Sequence, residues 1–122
     1  MKLLEQDLTE KVIGACFEVA NELGAGFLES VYQKALVLVL TQKGLRAVEQ
    51  VPLKVTFRGH TICDFYPDLL VEDRLIIEIK AAKSLTAEHE AQLMNYLKAT
   101  GIKVGLLVNF GRSKLEWKRL VY

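Results

Sequence analysis

The sequence lacks the features that would place it in several large protein classes. No apolar stretch approaches the roughly 20 residues needed to span a bilayer. The longest candidate is the short run from Ala35 to Leu40, so no membrane span is expected. Cysteine is scarce: Cys16 and Cys63 lie far apart with no CxxC spacing, and there are two histidines, not clustered. That pattern suggests neither a zinc knuckle nor a disulfide framework and leaves two buried free thiols as the expectation. Net charge is only +1, too little for tight, indiscriminate binding to phosphate backbones. No linker, internal repeat or low-complexity segment interrupts the chain. MKLLEQDLTE at the start carries acidic residues where a secretory signal would carry its apolar core, so a cytoplasmic protein is expected.

What is present fits a folded globular domain. With 122 residues, 51% of them hydrophobic and 25% charged, the chain is long enough for one core and too short for two, so residues 1–122 read as a single domain. Charge is unevenly distributed. Glu5, Asp7, Glu10, Glu18, Glu22 and Glu29 crowd the first 30 residues against Lys2 and Lys11, whereas Lys98, Lys103, Arg112, Lys114, Lys118 and Arg119 meet only Glu116 near the end. Two arrangements stay open: one basic side, or surface charges that folding intermixes.

The periodicity changes along the chain. Val12, Cys16, Val19, Ala20 and Leu23 recur at helical spacing from about Leu8, with Thr9 as a cap and Gly24 as the stop. Leu28, Val31, Tyr32, Ala35, Leu36, Val39 and Leu40 predict a second helix ending near Gly44. Val51, Leu53, Val55 and Phe57 then alternate up to Arg58-Gly59, and an extended run from Thr61 to Val71 completes a hairpin. After a turn at Glu72-Asp73-Arg74, the segment Leu75 to Ala81 is apolar on both faces, as a central strand requires. Thr86 and Gly101 bracket a third helix, followed by a buried strand from Val104 to Asn109, a turn at Gly111 and a last strand around Leu115 to Tyr122. The predicted order is ααβββαββ, α/β layers around one mixed sheet.

Within this frame PDLLVEDRLIIEIK, from Pro67 to Lys80, carries the chemistry. Strand alternation puts Glu78 and Lys80 on one side and Leu75, Ile77 and Ile79 on the other. A turn centred on Asp73 would place Asp68 opposite Glu78, since each lies five residues from that centre. Two converging carboxylates repel unless a proton or cation intervenes, and Mg²⁺ held by one or two carboxylates plus water meets that need. Lys80 beside such an ion could stabilise charge on a reacting phosphate or orient the attacking water. The competing reading is a plain salt bridge from Lys80 to Glu78 or Asp68.

Pro67-Asp68 with Glu78-Ile79-Lys80 resembles the PD-(D/E)XK nuclease superfamily pattern, and Gly26-Phe-Leu-Glu29-Ser-Val-Tyr32 resembles the signature of its GxxExxY branch. The likeness covers nearly the whole chain, including HEAQLMNYLKATG and the run from Gly105 to Gly111. It implies a restriction-endonuclease-like core with a mixed β-sheet flanked by helices, and a nuclease dependent on Mg²⁺ or Mn²⁺ with DNA or RNA as partner. It also implies that Glu29 completes a metal site with Asp68 and Glu78, alongside Lys80. Gln92 and Tyr96, four apart on the third helix, resemble the QxxxY element of exonuclease-like branches, where these side chains support the site or contact substrate. His89 can share their face without an assigned role. Gly26 is read as permitting the interhelix turn.

The chain departs from the branch's pattern at Tyr66, since many members carry a basic residue there, two positions before the first motif acid. Asp64 is a competing acid should the strand bulge. Two functions follow. One is a metal-dependent nuclease using Glu29, Asp68, Glu78, Lys80, Gln92 and Tyr96. The other is a catalytically silent module of the same architecture that binds or assembles through protein or nucleic-acid partners. A domain this small would gain substrate-contacting surface by dimerising, which leaves a homodimer open.

Overall fold

The computed structural model describes residues 3–122; Lys2, counted above among the N-terminal charges, lies outside them. Helix α1 spans Gln6–Leu23 and α2 spans Glu29–Gln42. The strands are β1 (Ala47–Glu49), β2 (Leu53–Phe57), β3 (His60–Phe65), β4 (Leu69–Val71) and β5 (Leu75–Lys80), before helix α3 (Ala87–Thr100) and strands β6 (Val104–Asn109) and β7 (Glu116–Val121). A five-stranded sheet runs in the order β1-β4-β5-β6-β7, and β2 pairs with β3 in a separate two-stranded sheet. Among the described residues only β5 and β6 pair in parallel; the other pairings are antiparallel. The α3 segment supplies the crossover that a parallel pair requires. This is the expected mixed sheet flanked by helices.

Two apolar clusters occupy the two faces of the sheet. Leu75, Ile77 and Ile79 of β5 join Val12, Cys16, Tyr32 and Leu36 of the N-terminal helices. Ile76 and Leu107 join Leu93 and Leu97 of α3 on the other face, with Leu53 and Phe65 of the hairpin packed alongside. Strand alternation thus assigns Glu78 and Lys80 to the face covered by α3 and the hairpin. A Cβ at Gly105 would stand 3.1 Å from the Leu93 side chain, so the small residue lets α3 pack closely on β6.

The structure revises several local expectations. The run from Thr61 to Val71 is two strands, because Pro67 has no N–H to give a ladder and fixes its own φ, so the chain leaves one sheet there and enters the other. The three-strand meander is therefore replaced by a hairpin plus a β4–β5 pair, and the short β1, absent from the expected order, adds an edge strand beside β4. Thr9 does not cap α1: the helix begins three residues earlier, and the buried Thr9 hydroxyl donates to the Gln6 carbonyl at 2.9 Å. Cys16 is buried as expected, and burial pushes its thiol up to about 12, but Cys63 on the hairpin is exposed. The C-terminal cations are partly interleaved with acids, Lys118 with Glu90 at 3.4 Å and Arg112 with Glu116 at 3.8 Å.

Other local signals appear as read. Arg58 and Gly59 form the tight hairpin turn, both with positive φ. Thr86 caps α3 and Gly101 ends it in the left-handed conformation. Gly26, at φ 114°, lies in the interhelix turn, where a residue with a Cβ would be strained.

Candidate functional site

Asp68 and Glu78 are brought together by the β4–β5 turn. Its register pairs Val71 with Leu75, Leu70 with Ile76 and Leu69 with Ile77, and continuing it sets Asp68 against Glu78. The turn is unusual in holding two non-glycine residues at positive φ, Glu72 at 52° and Asp73 at 56°. Arg46 holds it from the neighbouring chain segment. Its carbonyl accepts from the Glu72 N–H, its N–H donates to the Glu72 carboxylate, and its guanidinium pairs with Asp73 at 2.9 Å. Sequence spacing located the turn but gave no sign of this support, which comes from a residue 27 positions away.

At the strand end Asp68 turns inward. One carboxylate oxygen accepts from the Ile79 N–H at 2.7 Å, which fixes the acid against β5. Glu78 is then caught between burial and like charge. Desolvation first, then the neighbouring Asp68, push its carboxyl up to about 8, although Lys80 acts in the opposite direction. Glu78 Oε1 is buried and has no hydrogen-bond partner. An acceptor left so is costly unless something else occupies the position, and a cation would use it.

Lys80 is half buried on the same side of β5 and forms no ion pair within 4.0 Å among the described residues. The salt-bridge reading therefore does not account for it. Above these two side chains, α3 and the hairpin enclose a cavity of about 170 Å³ lined by Glu78, Lys80, His89, Gln92, Tyr96 and Phe65, among others. Tyr96 stacks on Phe65 with ring centroids 3.6 Å apart, which fixes the ring as one wall. The expected sharing of a face by His89, Gln92 and Tyr96 is what the cavity lining records.

Glu29 stands differently. It is exposed in the first turn of α2, a helix packed against the β5 face opposite Glu78 and Lys80. Among the described residues no group of three or more His, Cys, Asp and Glu side chains is placed to hold a metal ion, so the expected cluster of Glu29, Asp68 and Glu78 is not assembled. Two adjacent carboxylates, one with an orphaned oxygen, nevertheless fit an ion that keeps several waters. Tyr32, three residues on, is wholly buried. Its hydroxyl donates to the Gly24 carbonyl at 2.6 Å and accepts from the Phe27 N–H at 3.2 Å, and its ring stacks on Phe110. It ties the interhelix loop to the core.

Asn109 was not singled out by sequence, yet it positions the α3 wall. Fully buried at the end of β6, its Oδ1 accepts from the N–H groups of Ala82 and Gly111, and its Nδ2 donates to the Ala82 carbonyl and to Glu116. The same Glu116 oxygen accepts from the Leu85 N–H, so the segment between β5 and α3 is pinned at both ends. These donors hold Glu116 below the usual carboxylate range, the Asn109 amide first. Gly111 is required beside them, since a Cβ there would lie 2.4 Å from the Ala82 backbone. Replacing Asn109 with leucine strands several buried polar groups and should cost about 2 kcal/mol, measurable as a lower urea midpoint; an unchanged midpoint would remove this role.

The PD-(D/E)XK nuclease superfamily model matches residues 6–120. Among solved structures the fold is similar to the crystal structure of SSO0001, with a TM-score of 0.56 and 20% identity over 96% of this chain, which spans 58% of that protein's length. It is also similar to the alkaline exonuclease LHK-Exo from Laribacter hongkongensis, with a TM-score of 0.54 and 16% identity over 99% of this chain and 72% of the exonuclease. No curated protein matches the sequence.

Proposed function

The chain belongs to the PD-(D/E)XK nuclease superfamily, and from that premise we propose that it is a metal-dependent phosphodiesterase of the GxxExxY branch that hydrolyses DNA or RNA. The observation that carries this reading is the buried, unpartnered Glu78 Oε1 beside Asp68, next to Lys80, which forms no ion pair within 4.0 Å among the described residues. Asp68 and Glu78 are the residues that would hold Mg²⁺ or Mn²⁺; Glu29, the further acid of the family pattern, is not gathered with them among the described residues. A bound divalent ion supplies Lewis acidity toward the phosphate and activates water.

The chain's own groups do the rest. Asp68 is oriented by the Ile79 N–H, which holds its carboxylate beside Glu78. Lys80 donates to the phosphate oxygen on which charge develops, in a partly buried setting where such a contact counts for more than in water. Gln92 offers an amide and Tyr96 a phenol to the phosphate or its flanking sugar. Phe65 keeps the Tyr96 ring from swinging away. The exposure of Glu29 on a helix of the other face is the one observation that favours a non-cleaving binding module instead.

Metal binding separates the two directly. Millimolar Mn²⁺ should raise the melting temperature by several degrees, since about 100-fold excess over Kd adds about 2.7 kcal/mol of stability. Asp68→Asn should abolish the shift while keeping an acceptor for the Ile79 N–H, which Asp68→Ala would strand. Cleavage of single- and double-stranded substrates then tests the reaction. No shift in the wild type, with no cleavage, would sink the proposal.

A further inference from the structure

His89 lines the same cavity, and a role for it there rests on the nucleic-acid function proposed above. It occupies the third position of α3 and completes a capping box with Thr86. Its Nδ1 accepts from the Thr86 N–H at 3.2 Å, and its own N–H donates to the Thr86 hydroxyl oxygen at 3.2 Å. Glu or Gln is the usual residue in that place. Histidine does the same work with one ring nitrogen and leaves the other over.

The cap also sets the tautomer. A nitrogen that accepts a hydrogen bond carries no proton there, so in the neutral ring the proton resides on Nε2. Nε2–H is then a donor with no partner inside the protein among the described residues. A glutamate would cap α3 equally well but would bring a further carboxylate toward Glu78 and Asp68, where like charge is already unfavourable. Histidine satisfies the helix and adds a donor to a cavity whose floor holds a carboxyl and an ammonium group.

We propose that His89 is a substrate-binding residue whose Nε2–H donates to a phosphate oxygen of the strand lying over Glu78 and Lys80, with the ring held by the Thr86 N–H. The ring is aimed by the helix cap, not by a second acid as in a His–carboxylate pair. Affinity for nucleic acid therefore depends on the donor, and helix stability on the acceptor. The two dependences can be separated by substitution.

His89→Gln keeps an acceptor for the cap and an N–H donor, whereas His89→Glu keeps the cap and loses the donor. With a labelled single-stranded oligodeoxynucleotide in EDTA, His89→Gln should bind within about threefold of the wild type and His89→Glu about tenfold or more weaker. Both should melt close to the wild type and keep its Mn²⁺ response. Wild-type affinity in His89→Glu overturns the assignment, as does loss of its Mn²⁺ response, because the effect would then pass through the ion. No binding by the wild type overturns it too. Binding without cleavage, with His89→Glu still weakened, sinks the nuclease reading and leaves this one standing. Cleavage and affinity both unchanged in His89→Glu do the reverse.

Discussion

Replacing Lys80 with alanine should leave the protein folded and still stabilised by Mn²⁺, yet lower the rate of nucleic-acid cleavage about 10²–10³-fold, the loss typical of removing one donor aimed at developing charge. Lys80 can be removed cleanly because it forms no ion pair among the described residues. Its backbone carbonyl, which accepts from Phe110 N–H at 2.9 Å, survives the substitution. A residue that merely neutralised Glu78 would give a different result. Its loss would alter the thermal response to the ion and leave the chemical step alone. Wild-type cleavage in Lys80→Ala would remove the lysine from the mechanism, whereas loss of the Mn²⁺ shift would make it part of the ion site.

Glu78→Gln should make the metal-free protein more stable at pH 8, by about 4 kcal/mol, or roughly 15 °C in melting temperature for a domain of this size. In the fold Glu78 keeps its proton up to about 8, against an ordinary value of 4.5. Between those values the native state binds a proton that the unfolded chain has released, so wild-type stability falls as pH rises, by at most about 1.4 kcal/mol per unit. Glutamine has no such proton to lose, and its amide can still donate to Asp68. The advantage of Glu78→Gln should therefore be small near pH 4.5, grow toward pH 8 and level off above it.

Divalent metal should invert that order. An ion bound at Asp68 and Glu78 stabilises only the chain that can present both carboxylates, and its binding should release the Glu78 proton. Melting temperatures of the two proteins in EDTA and in Mn²⁺, at pH 5 and pH 8, test both halves of the expectation. If Glu78→Gln is no more stable than the wild type at pH 8 in EDTA, Glu78 is solvated and ionised there, and the case for a buried ligand weakens.

Much of this site was legible before folding was considered, and the reasons are local. Strand alternation put Glu78 and Lys80 on one side, and a turn of fixed centre put Asp68 opposite Glu78 as the observed register requires. Helical spacing gathered His89, Gln92 and Tyr96, and Thr86 and Gly101 marked the ends of their helix. Where a local signal was available but outweighed, the cost was visible. Pro67 sits within the run from Thr61 to Val71, and its missing N–H divides that run between two sheets. Cys63 shares a side of β3 with Phe65, yet Phe65 packs against the α3 cluster while Cys63, nearer the hairpin turn, is exposed.

By itself the sequence determined the three helices, the central strands β5 and β6, the pairing of Asp68 with Glu78 and the polar face of α3, since period, turn chemistry and helix caps act over a few residues. Only the tertiary structure decided which helix would cover which face of β5. The parallel β5–β6 pair needs a crossover, and α3 in making it is laid over Glu78 and Lys80, while α1 and α2 bury Leu75, Ile77 and Ile79 behind them and leave Glu29 exposed. Arg46 and Asn109, which hold the turn and the loop that aim the site, act across 26 or more residues. Their contacts exist once the sheet has formed, because no local rule of spacing brings such distant groups within hydrogen-bonding reach.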